Sequence, residues 1–181
     1  MGFALKKEQL PHYTYEDYKL WEGRWELICG IPYAMSPSPV WRHQKTNVKI
    51  VSQLDGLFDI CACKCVALMA LDWIVNDDTI VEPDVSVTCE PIEGKFLTKT
   101  PEIIFEILSP STTLKDKNTK YELYKLNGVK YYILVDAENK TYEIFELQNG
   151  EYKKVNAINN IFDFQIKNCS ISFNFSTIWA D

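Results

Sequence analysis

The stretch PEIIFEILSPST, residues 101–112, decides how the rest of the chain is read. Ile103, Ile104, Phe105, Ile107 and Leu108 form a short apolar run, closed by Ser109 and Pro110. That is the pattern of a buried β-strand leading into a helix start. Glu106 sits in the middle of it. An ionised carboxylate buried without a partner costs several kcal/mol, so this acid implies a partner.

Working outward, the stretch is followed by a helix over 113–126, stopped by Asn127-Gly128. A nearly all-apolar strand over 130–136 comes next, then a hairpin of 141–147 with 152–156 around Asn149-Gly150. The tail adds a further strand and a terminal turn. Upstream, 79–89 reads as one strand, Asn76 to Asp78 as a turn, and 61–75 as a long β-prone run. Ser36 to Pro39 is a breaker, with Ser38 as N-cap and Pro39 at the first helical position. The helix it opens runs to about Phe58, with an apolar stripe of Val40, Val48, Val51, Leu54 and Phe58. Residues 25–29 and 31–35 form a strand pair turned at Gly30. Thr14 and Asp17 make a capping box for a short helix through Leu20. The order predicts an α/β (α+β) fold: a mixed central sheet flanked by helices, with an N-terminal strand pair and a C-terminal hairpin. At 181 residues, a single domain over 1–181 is expected.

The composition, 46% hydrophobic and 13% aromatic, argues for a packed core over disorder. No apolar run approaches the ~20 residues that span a bilayer, and the start of the chain shows no apolar leader. The expectations are no membrane, a cytoplasmic address and reduced cysteines. Three of the six cysteines form CACKC, Cys61 to Cys65; period two is the spacing of one strand face, whereas zinc sites favour C-x₂-C pairs. The net charge of −6 speaks against a coat-like nucleic-acid binder. Two segments are locally basic: Arg42, Lys45 and Lys49 without an acid, and five lysines over 115–130. Each alone reads as a solvated helix face.

The partner of Glu106 is sought on the preceding strand. In VEPDVSVTC, residues 81–89, alternation sets Glu82, Asp84, Ser86 and Thr88 on one face. Asp84 lies 22 positions before Glu106, enough for an antiparallel return. Two carboxylates on strands ~4.8 Å apart can grip one cation, and Mg²⁺ takes one or two carboxylates plus waters. The plainer reading leaves Asp84 in water and gives Glu106 an arginine or a helix terminus. On the following helix, steps of three and four place Lys117, Lys120, Tyr121 and Tyr124 on one face, with Tyr121, Leu123, Tyr124 and Leu126 against the sheet. Lys120 could reach back to the carboxylates or merely pair with Asp116.

MSPSPVWRHQ, VEPDVSV, IIFEILSPSTTLKDKNTKYELYKLNGVKYYILVD and the terminal strand with Trp179 together resemble the Uma-two family, bacterial proteins of the PD-(D/E)XK nuclease superfamily. The resemblance covers nearly the whole chain and implies a restriction-endonuclease-like fold. It implies an endonuclease, a hydrolase that holds Mg²⁺, or Mn²⁺ as a substitute, between two acids and cuts DNA. Asp84, after Pro83, matches the first acid and Glu106 the second. The Ile107 carbonyl would be a further metal ligand. The superfamily lysine would stand at 108, where this chain has Leu108. The resemblance therefore implies a lysine from the next helix, Lys120, with Lys117 as substitute. Glu26 and His43 also match family positions, as a distal ligand and a phosphate contact. Two cuts on a duplex would be served by a two-fold homodimer. The alternative is a catalytically inactive nucleic-acid- or partner-binding protein on the same scaffold, favoured by Leu108 and the acidic balance. An ammonium of Lys120 within hydrogen-bond reach of Glu106 would favour the nuclease.

Overall fold

The computed structural model describes residues 10–35, 40–61, 63–110 and 112–179; the expected breaker at Ser36 to Pro39 lies outside them. The described elements are, in order, α1 (Tyr15–Tyr18), β1 (Trp25–Ile28), β2 (Ile31–Ala34), α2 (Trp41–Cys61), β3 (Val66–Met69), β4 (Trp73–Asn76), β5 (Thr79–Val81), β6 (Val85–Thr88) and β7 (Ile103–Ile107). A π-helical segment (Lys115–Lys120) then runs into α3 (Tyr121–Leu126), followed by β8 (Tyr131–Asp136), β9 (Thr141–Gln148), β10 (Glu151–Val155), β11 (Ile161–Ile166) and β12 (Cys169–Asn174).

A six-stranded sheet runs β10-β9-β8-β7-β6-β3, and a four-stranded one β2-β1-β5-β4. The β11–β12 hairpin stands apart from both. Every residue of β7 is buried, as a central strand covered on both faces requires. β7 and β8 are parallel, from Ile103↔Tyr131 to Ile107↔Val135. A parallel pair needs a crossover, and the helix ending in α3 supplies it. All other pairings in the sheet are antiparallel, so it is mixed.

Alternation along β7 splits the interior. Ile103, Phe105 and Ile107 join Ile50, Leu54 and Phe58 of α2 and Phe164, Ile171 and Phe173 of the β11–β12 hairpin. Ile104 joins Trp73, Tyr124, Tyr132 and Leu134 on the other side. Each fully buried side chain of this size stabilises the fold by ~1.5–3 kcal/mol. The β9–β10 turn has positive φ at Asn149 (53°) and Gly150 (82°), as the tight hairpin turn demands. Asp17 accepts the Thr14 backbone N–H at 2.8 Å, which closes the expected capping box.

Several boundaries differ from expectation. The strand read over 79–89 is two strands in different sheets, β5 with β1 and β6 with β7. Pro83 has no N–H to extend a ladder, so the chain changes sheet at Glu82 to Asp84. The buried stripe of α2 is Thr46, Asn47, Ile50, Leu54 and Phe58; Val40 and Val48 are exposed. Leu126, expected against the sheet, is 79% exposed at the last position of α3. β11, whose IFDFQI alternates, is a strand beyond those expected. CACKC is not a strand face: Cys61 ends α2, and β3 begins only at Val66. The sulfurs of Cys61 and Cys169 are in disulfide contact, as are those of Cys65 and Cys89. Among the described residues no helix is long and apolar enough to cross a membrane.

Candidate metal and catalytic site

The change of sheet at Pro83 builds the site. The β6–β7 register runs Val87↔Ile103, Ser86↔Ile104, Val85↔Phe105; one step further sets Asp84 opposite Glu106. Asp84 is thus held where one sheet hands over to the other, and a quarter of its side chain is exposed. Its Oδ2 accepts the Ile107 backbone N–H at 2.8 Å and meets His43 Nε2 of α2 at 3.1 Å. Glu106 is 3% exposed. Its Oε1 accepts from Lys120 Nζ at 2.9 Å and from Tyr124 Oη at 2.7 Å.

Lys120 Nζ also lies 2.8 Å from Glu26 Oε1 and 4.0 Å from Asp116 Oδ1. Glu26 comes from β1 and is fully buried. Lys115 pairs with the Oε2 of Glu26, and the Oε1 of Glu26 accepts the Glu82 backbone N–H at 3.1 Å. One ammonium thus ties the four-stranded sheet to the six-stranded one. A cleft of ≈ 280 Å³ opens over the group, lined by His43, Asp84, Glu106, Ile107, Asp116 and Lys120 among others.

Charge follows from this crowding. Burial pushes the Glu106 carboxyl well up; Lys120 opposes that, and the neighbouring Asp116, Asp84 and Glu26 add to it. Burial likewise raises Asp116, whose Oδ1 accepts no hydrogen bond among the described residues. Burial also works against ionised Glu26, but Lys120 and Lys115 outweigh it and hold that carboxyl below its ordinary value. Burial lowers Lys120, and the three surrounding acids more than reverse it, so the ammonium stays charged.

The structure brings Asp84, Glu106, Ile107, Lys120, Glu26 and His43 together. It leaves Lys117 out: that residue is exposed and does not line the cleft, and its charge acts on Asp136, whose carboxyl burial raises and the Asn139 and Glu138 hydrogen bonds, with Lys117, bring below its ordinary value. The reason is helical phase. Residues 115–120 are π-helical, with i→i+5 bonding. In that wider turn Asp116 and Lys120 are buried while Lys117 is exposed. Lys115 as a partner of Glu26 and Tyr124 as a donor to Glu106 come in addition to the residues expected from sequence. A signal for the second existed: Asp116, Lys120 and Tyr124 recur at steps of four.

Comparison with known proteins accords with this arrangement. The model of the Uma2 family, described as "Putative restriction endonuclease", matches residues 15–165. The chain belongs to the Uma2 family. The match takes in every residue of the cleft named above. An uncharacterised protein of Synechocystis sp. is 31% identical over 143 residues, which covers 75% of this chain and 74% of that protein. A crystal structure from Anabaena variabilis ATCC 29413, described as a putative nuclease belonging to DUF820, superposes with a TM-score of 0.73 at 17% identity. The superposition covers 92% of this chain and 97% of that one, so the two share the fold. The Uma2 chain thus has the mixed sheet flanked by helices of a nuclease fold, as the sequence led us to expect.

Proposed function

We propose that this Uma2 protein is a cytoplasmic Mg²⁺-dependent endonuclease that hydrolyses phosphodiester bonds in DNA. Asp84, Glu106 and the Ile107 carbonyl hold the metal, and Lys120 acts in place of the lysine that Leu108 displaces. The carrying observation is Lys120 Nζ at 2.9 Å from Glu106, with Asp84 next in register across the strand pair. The donor set supports a hard cation. It is all oxygen, Asp116 keeps a buried oxygen without a hydrogen bond, and Glu106 is raised by burial and then by the neighbouring acids.

Bound there, Mg²⁺ or Mn²⁺ would polarise the phosphodiester and lower the pKa of an attacking water. The chain's own groups do the rest. Glu26 and Glu106 fix the Lys120 ammonium beside the acids, where it orients the water and offsets charge that develops on the phosphate. Tyr124 fixes the Glu106 carboxylate. His43, beside Asp84 at the mouth of the cleft, contacts the phosphate. Arg42 lines the cleft and stacks on the half-exposed Trp41 ring, 4.7 Å from its centroid, and so gives the backbone and an unstacked base a surface to follow. A two-fold homodimer would deliver two such sites to a duplex.

Titration calorimetry with Mg²⁺ and Mn²⁺ on the native protein and on Asp84→Ala tests this, beside plasmid and single-strand cleavage assays. Metal binding and metal-dependent cutting are expected, both lost in Asp84→Ala. A native protein that binds no metal at millimolar concentration would sink the catalytic reading in favour of a binding module.

A further inference from the structure

Far from the cleft, the other end of α2 carries a second cluster of ligand atoms. His43 lies in the first turn of that helix and Cys61 closes it, about 27 Å away at 1.5 Å per residue. Cys61, Cys63 from the connection to β3, and Cys169 from the first position of β12 bring their sulfurs within 4.8 Å of one another. Cys169 is buried, and Cys61 and Cys63 are half-buried. We infer that, in the reduced protein, these three thiolates form a site for a thiophilic cation, of which Zn²⁺ is the type, separate from the oxygen-lined cleft.

Three observations carry this. The first is convergence: the sulfurs come from a helix end, a loop and a strand more than 100 positions away. The contact between Cys61 and Cys169 accounts for two of them, and a bridge there has no use for the third. The second is geometry. Zn–S bonds of ~2.3 Å in a tetrahedron set sulfurs ~3.8 Å apart. The α-carbons of Cys61 and Cys169, 6.4 Å apart, allow that spacing with side-chain adjustment alone. The third is donor chemistry. Thiolates favour Zn²⁺ and Cu⁺, whereas the carboxylates of the cleft favour Mg²⁺ and Mn²⁺, so the two sites select different ions. Three protein ligands leave the fourth position to water, which the half-buried Cys61 and Cys63 admit. The metal would tie the end of α2 to the C-terminal hairpin. Cys169 lies beyond the 15–165 span matched to the family, so nothing in that match accounts for the cluster.

The test uses the full chain, reduced and freed of metal by chelation. It is titrated with Zn²⁺ against a chromophoric chelator and with Co²⁺ as a spectroscopic probe. One equivalent of each is expected, with the thiolate-to-cobalt charge-transfer band and a rise in thermal midpoint. Cys63→Ser, at a half-buried loop position on the edge of the core, keeps the side-chain size and should lose the band, and Asp84→Ala should keep it. Two results would overturn the inference. One is Co²⁺ binding by Cys63→Ser equal to that of the native protein. The other is a reduced native protein that binds neither metal and forms a Cys61–Cys169 bridge on isolation.

Discussion

Ile103, Phe105 and Ile107 look from β7 into an apolar layer shared with α2 and the β11–β12 hairpin, whereas Glu106, on the same strand, looks into a cage of Lys120, Tyr124, Glu26 and Asp116. The first layer is held by area and shape, and its members are nearly interchangeable. The second is held by mutual satisfaction of charge around one ammonium, so removing Lys120 leaves buried acids short of a partner. A strand buried on both faces can therefore carry a replaceable wall on one side and an indivisible constellation on the other.

The contrast breaks most sharply at Lys120. Lys120→Met keeps the side-chain volume but leaves Glu106 and Asp116 without an ammonium and Glu26 with Lys115 alone. A loss of ~3–5 kcal/mol in urea unfolding is expected, and cleavage should vanish even where the protein remains folded.

Glu106→Gln should separate function from stability. The folded-state pKa of Glu106 is raised above its ordinary 4.5, so its contribution to stability is full below that value and is lost as pH rises through the raised one. Glutamine copies the protonated form and escapes that loss. The variant should be at least as stable as the native protein at neutral pH, with the difference closing as pH falls below 4.5, while calorimetry finds no Mg²⁺ binding.

On the apolar side, Ile103→Val should lower stability by only ~1 kcal/mol in the same unfolding experiment and leave metal affinity unchanged. The smallest effect belongs to Lys117→Ala. It should match the native protein in unfolding midpoint and cleavage rate; a loss of cleavage would return the catalytic ammonium to Lys117.

What could be read from the sequence divides along the same line. β7, β8, the Asn149-Gly150 hairpin and the capping box at Thr14 depend on neighbours in the chain, so periodicity and turn chemistry reveal them. The pairing of Asp84 with Glu106 was within reach because register extends a local rule across two strands. The break at Pro83 was not: a continuous alternation was assumed where a residue without an N–H ends one ladder and the next sheet begins. Glu26 meets Lys115 across 89 positions, a contact that no local pattern encodes. CACKC misled because period two suits a strand, yet its first cysteine closes a helix.

The π-helical segment has a consequence of its own. A π-turn holds one residue more than the α-turn it interrupts, so it absorbs that residue without turning the helix beyond it. The surplus falls on the outer side, at the exposed Lys117 and Asn118, while Asp116, Lys120 and Tyr124 stay on the inner one. Excising a single residue there, for example Asn118, would regularise the turn and leave Lys120 and Tyr124 in phase with each other. The irregular turn works as slack in a taut line: chain length can change there while the face toward Glu106 keeps its place.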